Sequence, residues 1–243
     1  MKKKLLIGFI GQGYIGKNYA NDFERRGYKV VRYALEKPYR NNKEKIKNCD
    51  IVFIAVPTPT TPKGFDDSIV REALGLVGKG KIAVIKSTVA PGTTRSLQRK
   101  SPKIIVFNSP EFLTEKTAAH DATHPSMNII GMVRNTQALR AAAKKVLAIL
   151  PKAPLTLTCK SEEAELIKYA HNTLSYTKLV FVNILYDLGK KLGVNWDVVQ
   201  KALKEDPMVA TSLNYHLEPV HKKGRGAGGH CLIKDFAALR GLY

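Results

Sequence analysis

The sequence predicts an α/β protein: an amino-terminal Rossmann domain with a doubly wound parallel sheet, followed by a helical central domain with one long helix. Short apolar runs alternate with helical patterns up to about residue 159, a glycine-rich turn follows the first run, and one uninterrupted helical pattern begins at Ser161. Apolar strands separated by helices are typical of a parallel sheet that is covered on both faces. We therefore expect two domains, at residues 1–159 and 160–243.

The first domain is expected to begin with a strand, a glycine turn and a helix. Residues 4–10 form an apolar run, and Lys17–Arg26 follow a helical pattern that Gly27 ends. Because the strands would be parallel, we expect a ligand at their carboxyl ends. Further strands are expected at 29–33, 50–56, 81–85, 103–107 and 155–158, with helices at 43–47, 68–77, 93–99 and 136–149.

The second domain is expected to be built around a helix from Ser161 to Gly189. Glu162, Glu163 and Glu165 lie in its first turns, where carboxylates stabilise the helix dipole. A shorter helix is expected at 196–204, and a glycine-rich loop at 224–229 precedes another helical pattern, CLIKDFAAL. We expect a homodimer through the apolar stripe of the long helix. The stripe consists of Ile167, Ala170, Leu174, Thr177, Phe181, Ile184 and Leu188.

Composition restricts the class of protein without identifying a partner. The net charge of +20 attracts phosphorylated small molecules, nucleic acid and anionic membranes alike, but the basic clusters are short and no nucleic-acid-binding motif is present. No apolar run is long enough for a membrane span or a signal sequence, so we expect a cytoplasmic protein without a nucleic-acid partner. Cys49, Cys159 and Cys231 show no CxxC spacing, and neither a disulfide framework nor a metal site is indicated.

Gly11, Gly13 and Gly16 form a GxGxxG pattern between the first strand and the first helix. In this context the pattern is typical of dinucleotide binding, because the first glycine permits a tight turn and the second allows the backbone to approach a diphosphate. The third allows the helix to pack closely on the strand. The helix amino terminus then faces the anion.

The choice between NAD and NADP is left open by the second strand. The acidic residue that would bind the adenosine ribose is missing from the end of this strand, although Glu36, slightly further on, could reach the ribose. Arg32, Lys37 and Arg40 lie close by in the sequence and could hold the additional phosphate of NADP.

Cys231 directly follows the glycine-rich loop, where exposed backbone amides could bind an oxyanion. A small buried cysteine is the alternative that the residues alone leave open. If the segment after Gly229 is helical, Cys231 and Asp235 lie one turn apart on the same face.

Five ordered segments together resemble the UDP-glucose/GDP-mannose dehydrogenase family. The resemblance covers essentially the whole chain, but only the first two domains of the family, so we expect the carboxy-terminal domain to be absent or separately encoded. The segments are VPTPT at 56–60, KSTVAPGTT at 86–94, SPEFLTE at 109–115, EAELIKYAHNT at 163–173 and GRGAGGHCLIKD at 224–235.

The resemblance implies an NAD-dependent oxidation of a nucleotide sugar similar to UDP-glucose, from its primary alcohol to the uronic acid. Cys231 would attack the aldehyde and carry a thiohemiacetal and then a thioester. Asp235 would act as a general base or orient the thiol, and Lys168 and Asn172 would stabilise an alkoxide. The hydrolytic water would be held by Thr88 and Glu111.

The glycine pattern and the resemblance also assign binding residues. The cofactor residues are Gly11, Gly13, Tyr14, Ile15, Gly16, Glu36, Val56, Pro57, Thr58, Ser87, Thr88 and Glu115. The substrate residues are Glu111, Phe112, Leu113, Lys168, Asn172, Gly226, Gly228 and Gly229.

Several positions depart from the family pattern and leave other functions open. Ala227 replaces an aromatic residue, Ile233 a proline and Ile184 a glutamate, and the segment between the second and third strands is short. One alternative is a β-hydroxyacid-type dehydrogenase, which shares the first domain and the long helix but does not need Cys231. Another is a non-enzymatic remnant that binds only the cofactor or a polyanion.

Overall fold

The computed structural model describes residues 5–62, 64–213, 220–221, 224–225 and 230–240. The chain divides into two compact units, and the division falls between Lys168 and Tyr169, inside the long helix. The predicted domain boundary at residues 159 and 160 lies at the start of the same helix and stays a prediction.

A central sheet organises the first unit. Its strands are β1 (Leu6–Ile10), β2 (Lys29–Tyr33), β3 (Ile51–Ile54), β6 (Ile82–Ile85), β7 (Ile105–Asn108), β8 (Met127–Met132) and β9 (Leu155–Lys160), while β4 (Thr60–Thr61) and β5 (Gly64–Phe65) form a small separate pair. The strand order is β2-β1-β3-β6-β7-β8-β9. Strands β2, β1, β3, β6 and β7 pair in parallel, which confirms the predicted doubly wound sheet for these strands.

Strand β8 corrects the expectation of an entirely parallel sheet. The sequence did not predict this strand, because Asn128 and Gly131 interrupt its apolar run. It pairs antiparallel with β7 through Asn108 and Gly131, and parallel with β9. The link at 109–126 contains only short helices, which do not carry the chain back across the sheet, so β8 starts on the side where β7 ends.

Helices cover both faces of the sheet. Alternate residues of the strands belong to two apolar clusters, one on each face of the sheet. Phe9 and Phe53 stack in one cluster, with ring centroids 5.0 Å apart, and Ile10 and Ile54 lie in the other. The helices of this unit are α1 (Tyr14–Arg25), α2 (Ser68–Leu74), α3 (Thr93–Lys100), α4 (Ala118–Thr123) and α5 (Gln137–Leu147), with 3-10 helices at Tyr39–Asn48 and Glu115–Thr117.

The long helix α6 (Ser161–Lys191) continues from the first unit into the second. The second unit also contains α7 (Trp196–Glu205), α8 (Pro207–Leu213), the antiparallel strands β10 (Val220–His221) and β11 (Gly224–Arg225), and α9 (His230–Arg240). Tyr176 of α6 stacks on Phe236 of α9 at 4.4 Å, and Tyr186 contacts Trp196 edge-on. Within the part of the chain that the structure describes, no helix combines the length and the apolar character that a membrane span requires.

The glycine turn allows a direct test of the packing between β1 and α1. A methyl group added at Gly16 would lie 2.0 Å from the carbonyl oxygen of Gly11, whereas one added at Gly13 would meet nothing within 4 Å. We expect Gly16→Ala to lower the free energy of unfolding by about 2 to 3 kcal/mol, because backbone atoms would have to move apart. Gly13→Ala is the matched control and should change it by less than about 1 kcal/mol. Equal losses in urea denaturation would contradict this packing.

Candidate active site

The carboxyl ends of the parallel strands meet at one edge of the sheet. Strands β2 and β3 lie on opposite sides of β1, so the order of the strands reverses at this point of the sheet. Ligands of such sheets bind at the carboxyl ends of the strands, in the crevice where the order reverses. The amide of Gly11 donates to the carbonyl oxygen of Tyr33 at 2.9 Å, and Gly13 is exposed at the start of α1. No side chain caps this helix and no acidic residue lies in its first turn, among the residues described. The turn therefore fits a diphosphate.

The loops after β3 and β6 are joined by hydrogen bonds. Ser87 Oγ donates to the carbonyl oxygen of Val56 at 2.7 Å and accepts from the Val56 amide at 2.9 Å. Thr58 Oγ1 donates to the carbonyl oxygen of Thr88 at 2.7 Å. The structure thus brings together four predicted cofactor residues, with Pro57 exposed between them.

The charged residues beside β2 bear on the choice between NAD and NADP. The guanidinium of Arg32 pairs with Glu24 at 2.6 Å and donates to Asn21 Oδ1 at 2.8 Å, so helix α1 already engages its charge. Glu36 is exposed beyond the end of the strand. Arg32 is therefore already paired within the protein, whereas Lys37 and Arg40 are exposed.

A buried ion pair connects the loop that follows β7 with helix α6. Lys168 Nζ is 3.2 Å from Glu111 Oε1, and the two side chains are 8% and 3% exposed. Glu111 Oε2 accepts from the amide of Leu113 at 2.7 Å, and the ring of Phe112 lies 5.3 Å from Lys168 Nζ. Four predicted substrate residues are therefore in contact, whereas Glu115 is exposed in the following 3-10 helix.

Lys86 is a buried cation that was not among the predicted site residues. Its Nζ donates to Ser109 Oγ at 3.0 Å and lies 4.8 Å from the centroid of the Tyr19 ring. Burial lowers the pKa of Lys86 to about 8, and the nearby carboxylate of Glu111 opposes this shift. A lysine directly after an apolar strand of a parallel sheet was the available signal.

Glu165 has a different partner from the one expected. Its buried carboxylate does not serve the amino terminus of its own helix but accepts from the amides of Gly92 and Thr94, at the start of α3. Burial raises the pKa of Glu165 to about 7, and these hydrogen bonds oppose the shift. The sequence did not reveal this contact, because the partners are far apart in the chain.

In the second unit, α6 and α9 share a buried polar contact. Asn172 Nδ2 donates to Asp235 Oδ2 at 2.5 Å, and Lys234 also pairs with Asp235. Cys231 lies in the first turn of α9, which confirms the predicted helix and places it four residues before Asp235. Its side chain lies outside the described part of the structure, as do the predicted substrate glycines Gly226, Gly228 and Gly229.

The other two cysteines are poor candidates for a nucleophile. Burial raises the pKa of Cys49 to about 11 and also raises the pKa of Cys159 above its ordinary value. Both thiols therefore remain protonated at neutral pH. Cys49 lies in the core, but Cys159 is only half-buried because β9 is an edge strand.

The doubly wound sheet, the glycine turn and the joined loops define a dinucleotide-binding protein. The NAD binding domain of the UDP-glucose/GDP-mannose dehydrogenase family matches residues 35–150, and the central domain of the same family matches residues 162–243. The chain therefore belongs to this family, as its motifs had indicated. The match also confirms NAD as the cofactor.

Individual relatives agree with this membership. The chain is 33% identical to a UDP-glucose 6-dehydrogenase of Rickettsia conorii, over 98% of this chain and 60% of that protein. A UDP-glucose dehydrogenase structure from Pyrobaculum islandicum superimposes with a TM-score of 0.83 at 27% identity, over 100% of this chain and 65% of that one. The chain thus spans less than two thirds of the length of both relatives. The 3-hydroxyisobutyrate dehydrogenase of Mycobacterium tuberculosis, at 16% identity and a TM-score of 0.68, shares the fold alone.

The buried ion pair should be visible as a stability effect. Lys168→Met would leave the Glu111 carboxylate buried without its cation, so we expect the free energy of unfolding to fall by about 3 kcal/mol. Adding Glu111→Gln should restore about 2 kcal/mol of this loss, since the unpaired charge is then removed. Urea denaturation measures both effects.

The exposed ion pair between Lys47 and Glu44 provides the control. Lys47→Met should change the free energy of unfolding by less than about 1 kcal/mol. A loss for Lys168→Met no larger than this value would show that Glu111 and Lys168 do not form a buried ion pair in solution.

Proposed function

We propose that the chain forms the catalytic core of an NAD-dependent nucleotide-sugar dehydrogenase, which oxidises the primary alcohol of a sugar of the UDP-glucose type to the uronic acid. The observation that carries this proposal is the buried ion pair of Glu111 and Lys168, in the loop that follows a parallel strand at its carboxyl end. The substrate class rests on the relatives named UDP-glucose 6-dehydrogenase. Since the chain spans 60% of such a relative, a further domain or a separate chain would complete the contacts to the nucleotide.

The first unit supplies the cofactor contacts. The amino terminus of α1 and the exposed backbone of Gly13 would hold the diphosphate. The joined loops that contain Val56 and Thr88 would form the wall of the pocket beside the reactive ring. When bound, NAD supplies the hydride acceptor for each of the two oxidations.

Lys168 and Glu111 would serve different parts of the reaction. The ammonium group of Lys168 would stabilise negative charge on the sugar oxygen as the alcohol loses its proton, and it would do so without reorganisation because it is already held in place. Glu111, together with Thr88, would hold the water for the final hydrolysis. By resemblance to the family, Asn172 and Asp235 belong to the same reaction.

Cys231 would carry the covalent step. Its thiolate would bond to the aldehyde carbon, and the proton of the thiol would pass to a base, for which we propose Asp235. Oxidation of this thiohemiacetal gives a thioester, and water cleaves the C–S bond to release the carboxylate and the thiol. The raised pKa values of Cys49 and Cys159 support this choice, because those two thiols are held protonated.

Replacing the nucleophile tests the proposal. Cys231→Ser should lower the rate of NADH formation from UDP-glucose by at least about 100-fold, because the aldehyde can no longer be trapped. Cys159→Ser is the matched control and should retain activity. Absorbance at 340 nm measures the rates, and substrate should protect Cys231 from a thiol reagent.

Other outcomes would favour the alternative functions. Oxidation of a small 3-hydroxy acid that survives Cys231→Ser would indicate a β-hydroxyacid-type dehydrogenase. NAD binding that no nucleotide sugar affects, together with salt-sensitive retention on DNA, would indicate a non-enzymatic binding module.

We also propose that two copies associate through α6. Five apolar side chains of this helix are half-exposed or more, and four of them recur at intervals of seven, three and four residues, which places these four on one face. An exposed stripe of this kind is typical of a surface that another molecule covers. The four are Leu174, Phe181, Ile184 and Leu188.

A charge within the stripe should dissociate the dimer. We expect Phe181→Glu to raise the dimer dissociation constant at least about 100-fold, because the carboxylate would be buried without a partner. Lys190→Glu, also on the exposed surface of α6, should leave it unchanged. Sedimentation equilibrium distinguishes the two results, and a monomeric parent protein would refute the proposed dimer.

A further inference from the structure

We propose that Glu165 is a positioning residue: its buried carboxylate fastens the start of α6 to the start of α3 and thereby holds Lys168 against Glu111. The part of this inference that concerns catalysis rests on the function proposed above. The fastening itself can be tested without any enzyme activity.

Both oxygens of Glu165 are committed to α3. Oε1 accepts from the amide of Thr94 at 2.7 Å, and Oε2 accepts from the amide of Gly92 at 2.7 Å. The residue is 1% exposed, so water does not compete for these bonds. The first amides of a helix have no partner within the helix, and its dipole favours a carboxylate at this end. Glu165 therefore supplies the start of α3 with its hydrogen-bond acceptors.

Both segments that this contact joins are close in sequence to residues of the candidate active site. The loop that ends at α3 begins with Lys86, Ser87 and Thr88, and Lys168 follows Glu165 by less than one turn of α6. Because a helix moves as a rigid element, a slide of α6 by about 1 Å would break the bonds to Gly92 and Thr94 and separate Lys168 from Glu111. Misplacement of this size can reduce a rate about 100-fold.

The charges around Glu165 make the contact sensitive to pH. Glu162, on the same helix, raises the pKa of Glu165 further, and Arg95 of α3 is itself paired with Glu162 at 2.6 Å. With burial as the main cause, the pKa of Glu165 rises to about 7. Protonation below this pH removes one acceptor, because the new O–H group donates instead.

Stability and fastening should change in the same direction with pH. The pKa of Glu165 is higher in the folded protein than in the unfolded chain, so its contribution to stability is full at low pH and is lost as the pH rises through about 7. Opening of the contact returns Glu165 to water, where its pKa is lower, so the contact also opens more readily as the carboxylate forms.

Amide hydrogen exchange tests the fastening directly. In Glu165→Gln one acceptor becomes a donor, so we expect protection to fall at least about 10-fold at Gly92 or Thr94. In the parent protein the protection of both amides, corrected for intrinsic rates, should fall as the pH rises towards 7, and in Glu165→Gln this fall should be absent. Glu163→Gln, which changes an exposed carboxylate of the same helix, is the control and should leave both amides protected. Unchanged protection in Glu165→Gln would overturn the proposal.

Lysine labelling and kinetics test the positioning. We expect Glu165→Gln to increase the rate of reductive methylation at Lys168 at least about 5-fold, because the helix start becomes mobile, while Glu163→Gln does not. In steady-state kinetics the kcat of Glu165→Gln should fall by about 10-fold or more with little change in the KM for NAD. Loss of amide protection without faster labelling of Lys168 would show that Glu165 caps α3 but positions nothing. A parent protein without dehydrogenase activity would refute the proposed function, and the exchange and labelling results would still decide the role of Glu165.

Discussion

The ion pair between Glu111 and Lys168 is the contact on which the candidate active site depends. It connects the loop after β7 with the start of the long helix, and both side chains are almost fully buried. A buried charge without its partner is strongly unfavourable, so each residue requires the other to remain in place. The pair therefore restricts the position of the long helix as well as supplying a reactive group, because Lys168 must stay within reach of the Glu111 carboxylate.

The surrounding architecture keeps that constraint satisfied. Parallel strands deliver Val56, Thr88 and Glu111 to the same edge of the sheet, and hydrogen bonds through Ser87 and Thr58 join the neighbouring loops. Strand β8 runs antiparallel to β7, so the link between them, which contains Glu111, does not have to cross the sheet. Glu165 adds a second connection between the long helix and these loops. A charged site is thus held by several independent contacts.

Local pattern explains why much of this arrangement could be predicted from the sequence. The apolar runs at β1, β3 and β6 and the glycine turn carry their own signals, and the helical pattern of CLIKDFAAL was sufficient to predict α9. Strand β8 was missed because Asn128 and Gly131 break its pattern, and its direction depends on the whole link that precedes it. The partners of Lys86 and Glu165 could not be predicted, because those contacts form only when distant segments fold together.

The most direct test of the central claim is an NMR spectrum of the Lys168 side chain in the protein labelled with ¹⁵N-lysine. A buried ammonium group paired with a carboxylate exchanges its protons slowly with water, whereas exposed ammonium groups exchange too fast to be seen at neutral pH. We expect a slowly exchanging ammonium signal that disappears in Lys168→Met and shifts in Glu111→Gln. The absence of such a signal, or a signal that Glu111→Gln leaves unchanged, would contradict the ion pair and the site built on it.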